Sequence, residues 1–229
     1  MSHRSEKIIK NLSIDCVIFG FENSELEVLL IKRAISPQRG WWALPGGFIL
    51  KEEDLDVAAR RILFETSGVT NIYMEQVATF GQVNRFPDRR VITIAYYALI
   101  NPENYALHPG IDTSEVSWFP LSQIPELPFD HNQILHTALD QLRRRLRTKP
   151  IGFELLPDKF TLTQLQNLYE KILGIALDKR NFRKKLQSMR LLVMLNEKQK
   201  GVAHRAAHLY KFDEKIYDSL IRDGFNFEL

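Results

Sequence analysis

The sequence predicts an α+β chain in two domains, a larger strand-rich one over residues 1–149 and a smaller basic one over residues 150–229. Three observations carry this. At 229 residues the chain exceeds the usual single-domain size, and with 45% hydrophobic residues it can bury a core. β-rich apolar runs dominate the first part, whereas short helical patterns open the second. Charge also divides unevenly: residues 1–149 hold 17 Lys and Arg against 18 Asp and Glu, and residues 150–229 hold 14 against 10.

The N-terminal residues lead into short alternating segments rather than a hydrophobic signal region. No apolar run approaches the ~20 residues that span a bilayer, so a soluble cytoplasmic protein without membrane partners is expected. Ile14–Phe21 and Leu26–Lys32 are rich in Val, Ile, Leu and Phe around the polar turn Glu22-Asn23-Ser24-Glu25, which predicts a hairpin. Cys16 sits inside this apolar run and reads as a small core residue; one cysteine excludes a disulfide framework. From Leu55 to Phe64 apolar positions recur with helical spacing, and Val91–Ile100 is the strongest strand candidate.

Pro120, Pro125 and Pro128 punctuate an irregular stretch. Ile134, Leu135, Ala138, Leu139, Leu142 and Leu146 then line one face of a helix, which Pro150 and Gly152 stop. Arg143, Arg144, Arg145, Arg147 and Lys149 meet the negative pole of its dipole.

In the second domain Thr161 and Gln164 have capping-box spacing, Leu162, Leu165, Leu168, Tyr169 and Ile172 share a face, and Gly174 ends the helix. Asp178 can cap a second helix in which Phe182, Leu186 and Met189 share a face. Two short helices joined this tightly suggest helix-turn-helix. Leu191–Leu195 and Ala207–Phe212 read as strands joined by a basic loop, which completes a winged helix.

Charge within this domain is concentrated further. Between Lys171 and Lys211 eleven basic residues face only Asp178 and Glu197, the electrostatic footprint of a nucleic-acid binder. At ~100° per residue Arg180, Lys184 and Gln187 point away from the apolar face of the second helix, with Arg183 on its flank. These four, with Lys198, Lys200 and Arg205 in the wing, are the candidate residues for binding double-stranded operator DNA.

The most specific pattern lies between the first strands and the end of the Leu55–Phe64 helix. Gly47, Glu53, Arg61, Leu63, Glu65, Gly68 and Val69 fall on the spacing of a Gly, five residues, a Glu, seven residues, then Arg-Glu-aliphatic-any-Glu-Glu-any-Gly-aliphatic. This resembles the Nudix box. In that family three carboxylates at helical positions i, i+3 and i+4 hold divalent cations against a diphosphate. Here those positions are Ile62, Glu65 and Thr66, so neither catalytic residues nor a cofactor are expected; Glu53 and Glu65 are the residual metal candidates, and Glu52 and Asp54 beside them sit where carboxylates are also common to meet the helix dipole.

The whole chain resembles the Nudix-related transcriptional regulators. That resemblance implies a Nudix-like α/β/α sandwich as effector domain, a winged helix, a homodimer, and an effector that is a pentose or an ADP-ribose-type nucleotide. It places the effector pocket between sheet and box helix, with Arg33, Trp42, Arg89, Arg90, Tyr96, Asp130 and His131 as candidate ligand-binding residues; Trp41, Arg85 and Phe129 are further linings. The stretch Arg90–Ile100 resembles arabinose-responsive members and tilts the expectation toward a sugar. The rival reading is an active Nudix hydrolase of ADP-ribose or a related nucleoside diphosphate derivative.

Overall fold

The computed structural model describes residues 7–201 and 206–222. The chain divides into two compact units: the residues up to Gly20 with Glu27–Gln141, and Phe21–Leu26 with the residues from Leu142 onward.

The first unit is built on a mixed sheet. Strands β1 (Ile8–Glu22) and β2 (Glu25–Arg33) are neighbours, and β3 (Trp42–Ala43), β4 (Gly46–Leu50), β5 (Glu75–Phe80), β6 (Ile92–Leu99) and β7 (Thr113–Pro120) complete it. The central path runs β3-β2-β1-β6-β5, while β4 pairs with β1 and β7 with β2. Asn23 and Ser24 both have positive φ, at 49° and 64°, the backbone a tight hairpin turn requires.

Register decides which side chains face which layer. β1 and β6 run parallel with Ile14 opposite Ile94, Cys16 opposite Tyr96 and Ile18 opposite Ala98. These even-numbered residues join one core with Ala58, Ala59, Ile62 and Leu63 of helix α1 (Leu55–Ser67). Because side chains alternate along a strand, Asp15 and Val17 turn to the opposite face. There helix α2 (His131–Thr148) begins, its first residue beside Asp15, and Gln141 Nε2 donates to Gln76 O of β5. Cys16 is fully buried as expected, and burial pushes its thiol pKa well up.

The C-terminal carbonyls of α1 are satisfied from a loop: His108 N donates to Ser67 O and Ile111 N to Glu65 O. The approach is close enough that a Cβ on Gly110 would lie 1.9 Å from Glu65 O.

In the second unit, helix α3 (Leu162–Leu173) has the full capping box, with Gln164 N donating to Thr161 Oγ1 and Thr161 N to Gln164 Oε1. Helix α4 (Lys179–Met189) is capped by Asp178, which accepts from Asn181 N. Phe182, Leu186 and Met189 are its buried face. Strands β8 (Leu192–Lys198) and β9 (His208–Phe212) pair antiparallel, and Phe160 bridges to Tyr210, which adds a third short line to this wing sheet. Helix α5 (Glu214–Arg222) follows, an element for which the sequence pattern gives no expectation. Among the described residues no helix is long and apolar enough to cross a membrane.

Candidate functional site

A cavity of about 510 Å³ opens in the first unit, a size ordinary for small-molecule sites. Its floor comes from β1 and β4 (Ser13, Asp15, Gly46, Gly47, Phe48), one wall from α1 (Arg61, Ile62, Glu65, Thr66), and the other from Arg33, Arg85, Phe86, Arg89, Phe129 and His131.

The α1 wall explains what has become of the box. Arg61 Nε and Nη2 donate to Glu53, Nη1 donates to Glu65 Oε2 at 2.8 Å, and Nη2 also reaches Phe48 O at 3.0 Å. The hydrogen bonds from Arg61 hold the Glu53 carboxyl below its ordinary range. Ile62 is 2% exposed and packs beneath Gly47, while Thr66 Oγ1 donates back to Ile62 O at 2.8 Å. Of the three helical positions that hold carboxylates in the Nudix box, one is thus a hydrocarbon and one a hydroxyl turned onto its own helix, and the carboxylates of Glu53 and Glu65 are both engaged by one guanidinium. Among the described residues no three His, Cys, Asp or Glu side chains assemble as a metal site.

The opposite wall is organised by a buried ion cluster. Arg85 donates from Nε and Nη2 to Asp130 at 2.8 and 2.6 Å, and from Nη2 to Asp15 Oδ2 at 3.2 Å. Asp15 Oδ1 lies 3.5 Å from His131 Nε2, and His131 Nδ1 accepts from Leu44 N at 3.0 Å. A backbone N–H can only donate, so neutral His131 carries its proton on Nε2, facing Asp15. The carboxylate is packed so closely that a Cβ on Gly46 would come within 2.3 Å of Asp15 Oδ1.

Burial holds the His131 pKa below the usual imidazole range, with Arg85 and Arg33 acting in the same direction and Asp15 and Asp130 against it. A base whose folded pKa is depressed binds its proton more readily in the unfolded chain. Its contribution to stability is thus complete above about pH 6.5 and is lost as the pH falls through the folded value. Thermal melts from pH 8 to pH 5 are expected to show this fall, and a His131→Gln variant to show a shallower one; equal slopes would remove His131 as the source.

Of the seven ligand residues expected from sequence, Arg33, Arg89 and His131 line the cavity. Asp130 lies behind the lining, committed to Arg85. Three lie elsewhere, Tyr96 and Trp42 for reasons of register. Tyr96 shares the face of Ile94 and Ala98, is 2% exposed, and donates its hydroxyl to Asp56 Oδ1 of α1 at 2.7 Å. Trp42 stands opposite Lys32 on β2 and packs edge-on against Phe119, with ring centroids 4.7 Å apart. Arg90 is exposed beside Gly81.

Asp15, Phe48, Phe86 and Asp112, which the sequence pattern does not single out, also line the cavity. For Asp15 a signal existed: a carboxylate in the middle of a long apolar strand run is rarely buried without a partner.

In the second unit Arg180, Lys184 and Gln187 are exposed on α4, and Lys198 and Lys200 are exposed at the wing. Arg183 is half-buried and donates from Nη2 to Thr163 Oγ1 at 3.2 Å, so it links α4 to α3 rather than standing free. Arg205 lies outside the described residues.

Comparison with known proteins matches the same two regions. The Nudix domain profile covers residues 10–141, and the NrtR DNA-binding winged helix domain profile covers residues 152–212. The chain belongs to the Nudix-related transcriptional regulator family.

Within that family it is 39% identical to the ADPR responsive transcriptional repressor NtrR of Acinetobacter baylyi over 212 residues, 90% of this chain and 84% of the relative. The crystal structure of Shewanella oneidensis NrtR complexed with a 27mer DNA matches with a TM-score of 0.77 at 30% identity, covering 94% of this chain and 97% of that one. The Nudix domain of the same S. oneidensis protein complexed with ADP ribose matches with a TM-score of 0.54 at 34% identity, covering 62% of this chain and 94% of that one. A Nudix fold followed by a winged helix is thus the architecture of this family and of this chain. The tilt toward a pentose effector finds no support in these relatives: the ligand named for them is ADP-ribose, and a few side chains around one strand carry too little information to choose an effector.

Proposed function

We propose that the protein is a transcriptional repressor whose winged helix binds operator DNA as a homodimer in the cytoplasm and whose Nudix-like domain releases it in response to ADP-ribose. The observation that carries this reading is the cavity itself. It keeps arginines and aromatic rings suited to a charged nucleotide, while its box has Ile62 and Thr66 at two of the three helical carboxylate positions. Arg33 and Arg89 are assigned to the diphosphate, the rings of Phe86 and Phe129 border the space for an aromatic base, and Asp88 and Asp112 offer acceptors to ribose hydroxyls.

The response is a population shift. ADP-ribose favours a form of the dimer that fits DNA poorly, and its differential affinity for the two forms limits the size of the effect. Gel-shift titrations with and without ADP-ribose test this. A typical coupling of ~1 to 3 kcal/mol is expected, and linkage requires that operator DNA weaken ADP-ribose binding by the same factor. Identical ligand affinities with and without operator would show that the domains do not communicate.

The competing hydrolase reading makes a separate demand. With magnesium present, the purified protein is expected to leave ADP-ribose intact over hours, because Ile62 and Thr66 supply no metal carboxylate. Rapid turnover at micromolar enzyme would restore the hydrolase.

A further inference from the structure

Arg183 differs from the exposed cations around it on α4. It is half-buried, and its Nε is enclosed with no hydrogen-bond partner among the described residues. Its Nη2 donates to Thr163 Oγ1 of α3 at 3.2 Å, and this neutral hydroxyl is the only acceptor it meets among them. A guanidinium carries five N–H donors and keeps its charge at any ordinary pH, so most of its capacity stands unused. The arrangement lacks an anion.

The carboxylates of these elements are engaged elsewhere. Between Leu162 and Phe212 the acidic residues are Glu170, Asp178 and Glu197. Glu170 accepts from Gln166 Nε2 and Leu177 N, Asp178 from Asn181 N, and Glu197 from Lys159 Nζ. Thr163 lies in the first turn of α3, where the helix dipole disfavours a cation rather than holding it. Enclosed donors are rarely left unmet, so a charge held in this way points to an acceptor from outside the chain.

Position names that acceptor. At ~100° per residue Arg183 lies about 60° around α4 from Arg180, on the side that reaches α3, while Arg180 and Lys184 are exposed. A helix that presents Arg180 and Lys184 to a major groove has the phosphate backbone along its flanks. Thr163 Oγ1 accepts from the guanidinium, which leaves its own proton to donate. The two groups thus converge from two helices on space for one phosphate.

We infer that Arg183 and Thr163 form an anchor for one phosphate of the DNA backbone, separate from the side chains that face the groove. This deepens the proposed DNA-binding reading and rests on it. The anchor fixes where α4 sits on the duplex and carries no sequence preference of its own.

Fluorescence anisotropy of the full-length protein on a mixed-sequence duplex of about 30 base pairs, across a salt series, tests it, because a backbone contact needs no operator. Arg183→Gln is expected to weaken binding about tenfold, the worth of a charge-assisted hydrogen bond, and to lower the salt slope by about one unit for each protomer on the DNA. Arg183→Lys is expected to keep the slope, since it keeps the charge. Thr163→Val removes a donor but no charge, so a loss of about threefold at constant slope is expected. Thr163→Glu supplies the missing anion from within the chain: it is expected to raise the melting temperature and to weaken duplex binding by more than about tenfold.

An unchanged salt slope in Arg183→Gln would overturn the anchor. So would wild-type DNA affinity in Thr163→Glu with a raised melting temperature, since the pair would then only join the two helices. Thr163→Glu leaves the guanidinium in place, so it decides the case even where Arg183→Gln does not fold. A wild type that fails to bind the duplex would sink the DNA-binding reading and the anchor with it, a result distinct from wild-type binding that both substitutions leave unchanged.

Discussion

Replacing Arg85 by Met is expected to cost about 3 to 5 kcal/mol, a large share of the stability of a typical domain. Its side chain is 3% exposed, and the carboxylates it serves, Asp15 and Asp130, are 8% and 9% exposed. Removing the guanidinium takes from two largely buried carboxylates the cation that hydrogen-bonds both of them, and leaves Arg33 acting on Asp15 only through space. The triple variant Asp15→Asn, Arg85→Met, Asp130→Asn removes all three charges and is expected to recover much of the stability, because neutral groups carry a smaller desolvation cost. Denaturant unfolding of both variants distinguishes the cases. A single Met variant as stable as wild type would mean that the cluster is not what holds this wall.

The second large effect is expected at the DNA interface. Neutralising Arg180, Lys184, Lys198 and Lys200 together should weaken operator binding by about a hundredfold or more, since it removes cations that pair with phosphates and any hydrogen bonds from Arg180 to a base. The salt slope should fall by about one unit for each phosphate that is no longer neutralised, and a single Arg180→Ala variant that relaxes one operator position would mark a base-reading interaction worth ~1 to 3 kcal/mol. All four side chains are exposed, so the fold should survive the changes. Arg183 is left out because its guanidinium is drawn to Thr163. Full operator affinity in the fourfold variant would refute the interface.

Local chemistry made much of this chain readable. The capping box at Thr161 and Gln164, the Asp178 cap and the buried triad Phe182, Leu186 and Met189 are interactions within a few residues, so their spacing alone predicts them. The box spacing from Gly47 to Val69 belongs to the same class, since one strand, one turn and one helix contain it. The two-residue strand β3, by contrast, exists only because β2 lies beside it, and β4, β5 and β7 went unread in the same way.

The candidate site divides along the same line. Arg33 and Arg89 were named from the family resemblance, at the end of the second strand and in the polar loop before the long strand, and both line the cavity. Tyr96 lies away from the cavity because its direction depends on parity: Cys16 stands opposite Tyr96 across the parallel ladder, and a shift of one residue would have sent the ring to the other face.

What the sequence determined by itself was the family, the two-part architecture and the absence of two metal carboxylates, since each is written in residue identity and short-range spacing. What only the tertiary structure decided was how the remaining charges are used. Arg61 gathers Glu53 and Glu65, and Arg85 joins Asp15 to Asp130 across separations of 70 and 45 residues. The reason is physical: a buried charge must find its counter-charge wherever the fold brings one within reach, and that partner is chosen by strand register and helix packing rather than by neighbours along the chain.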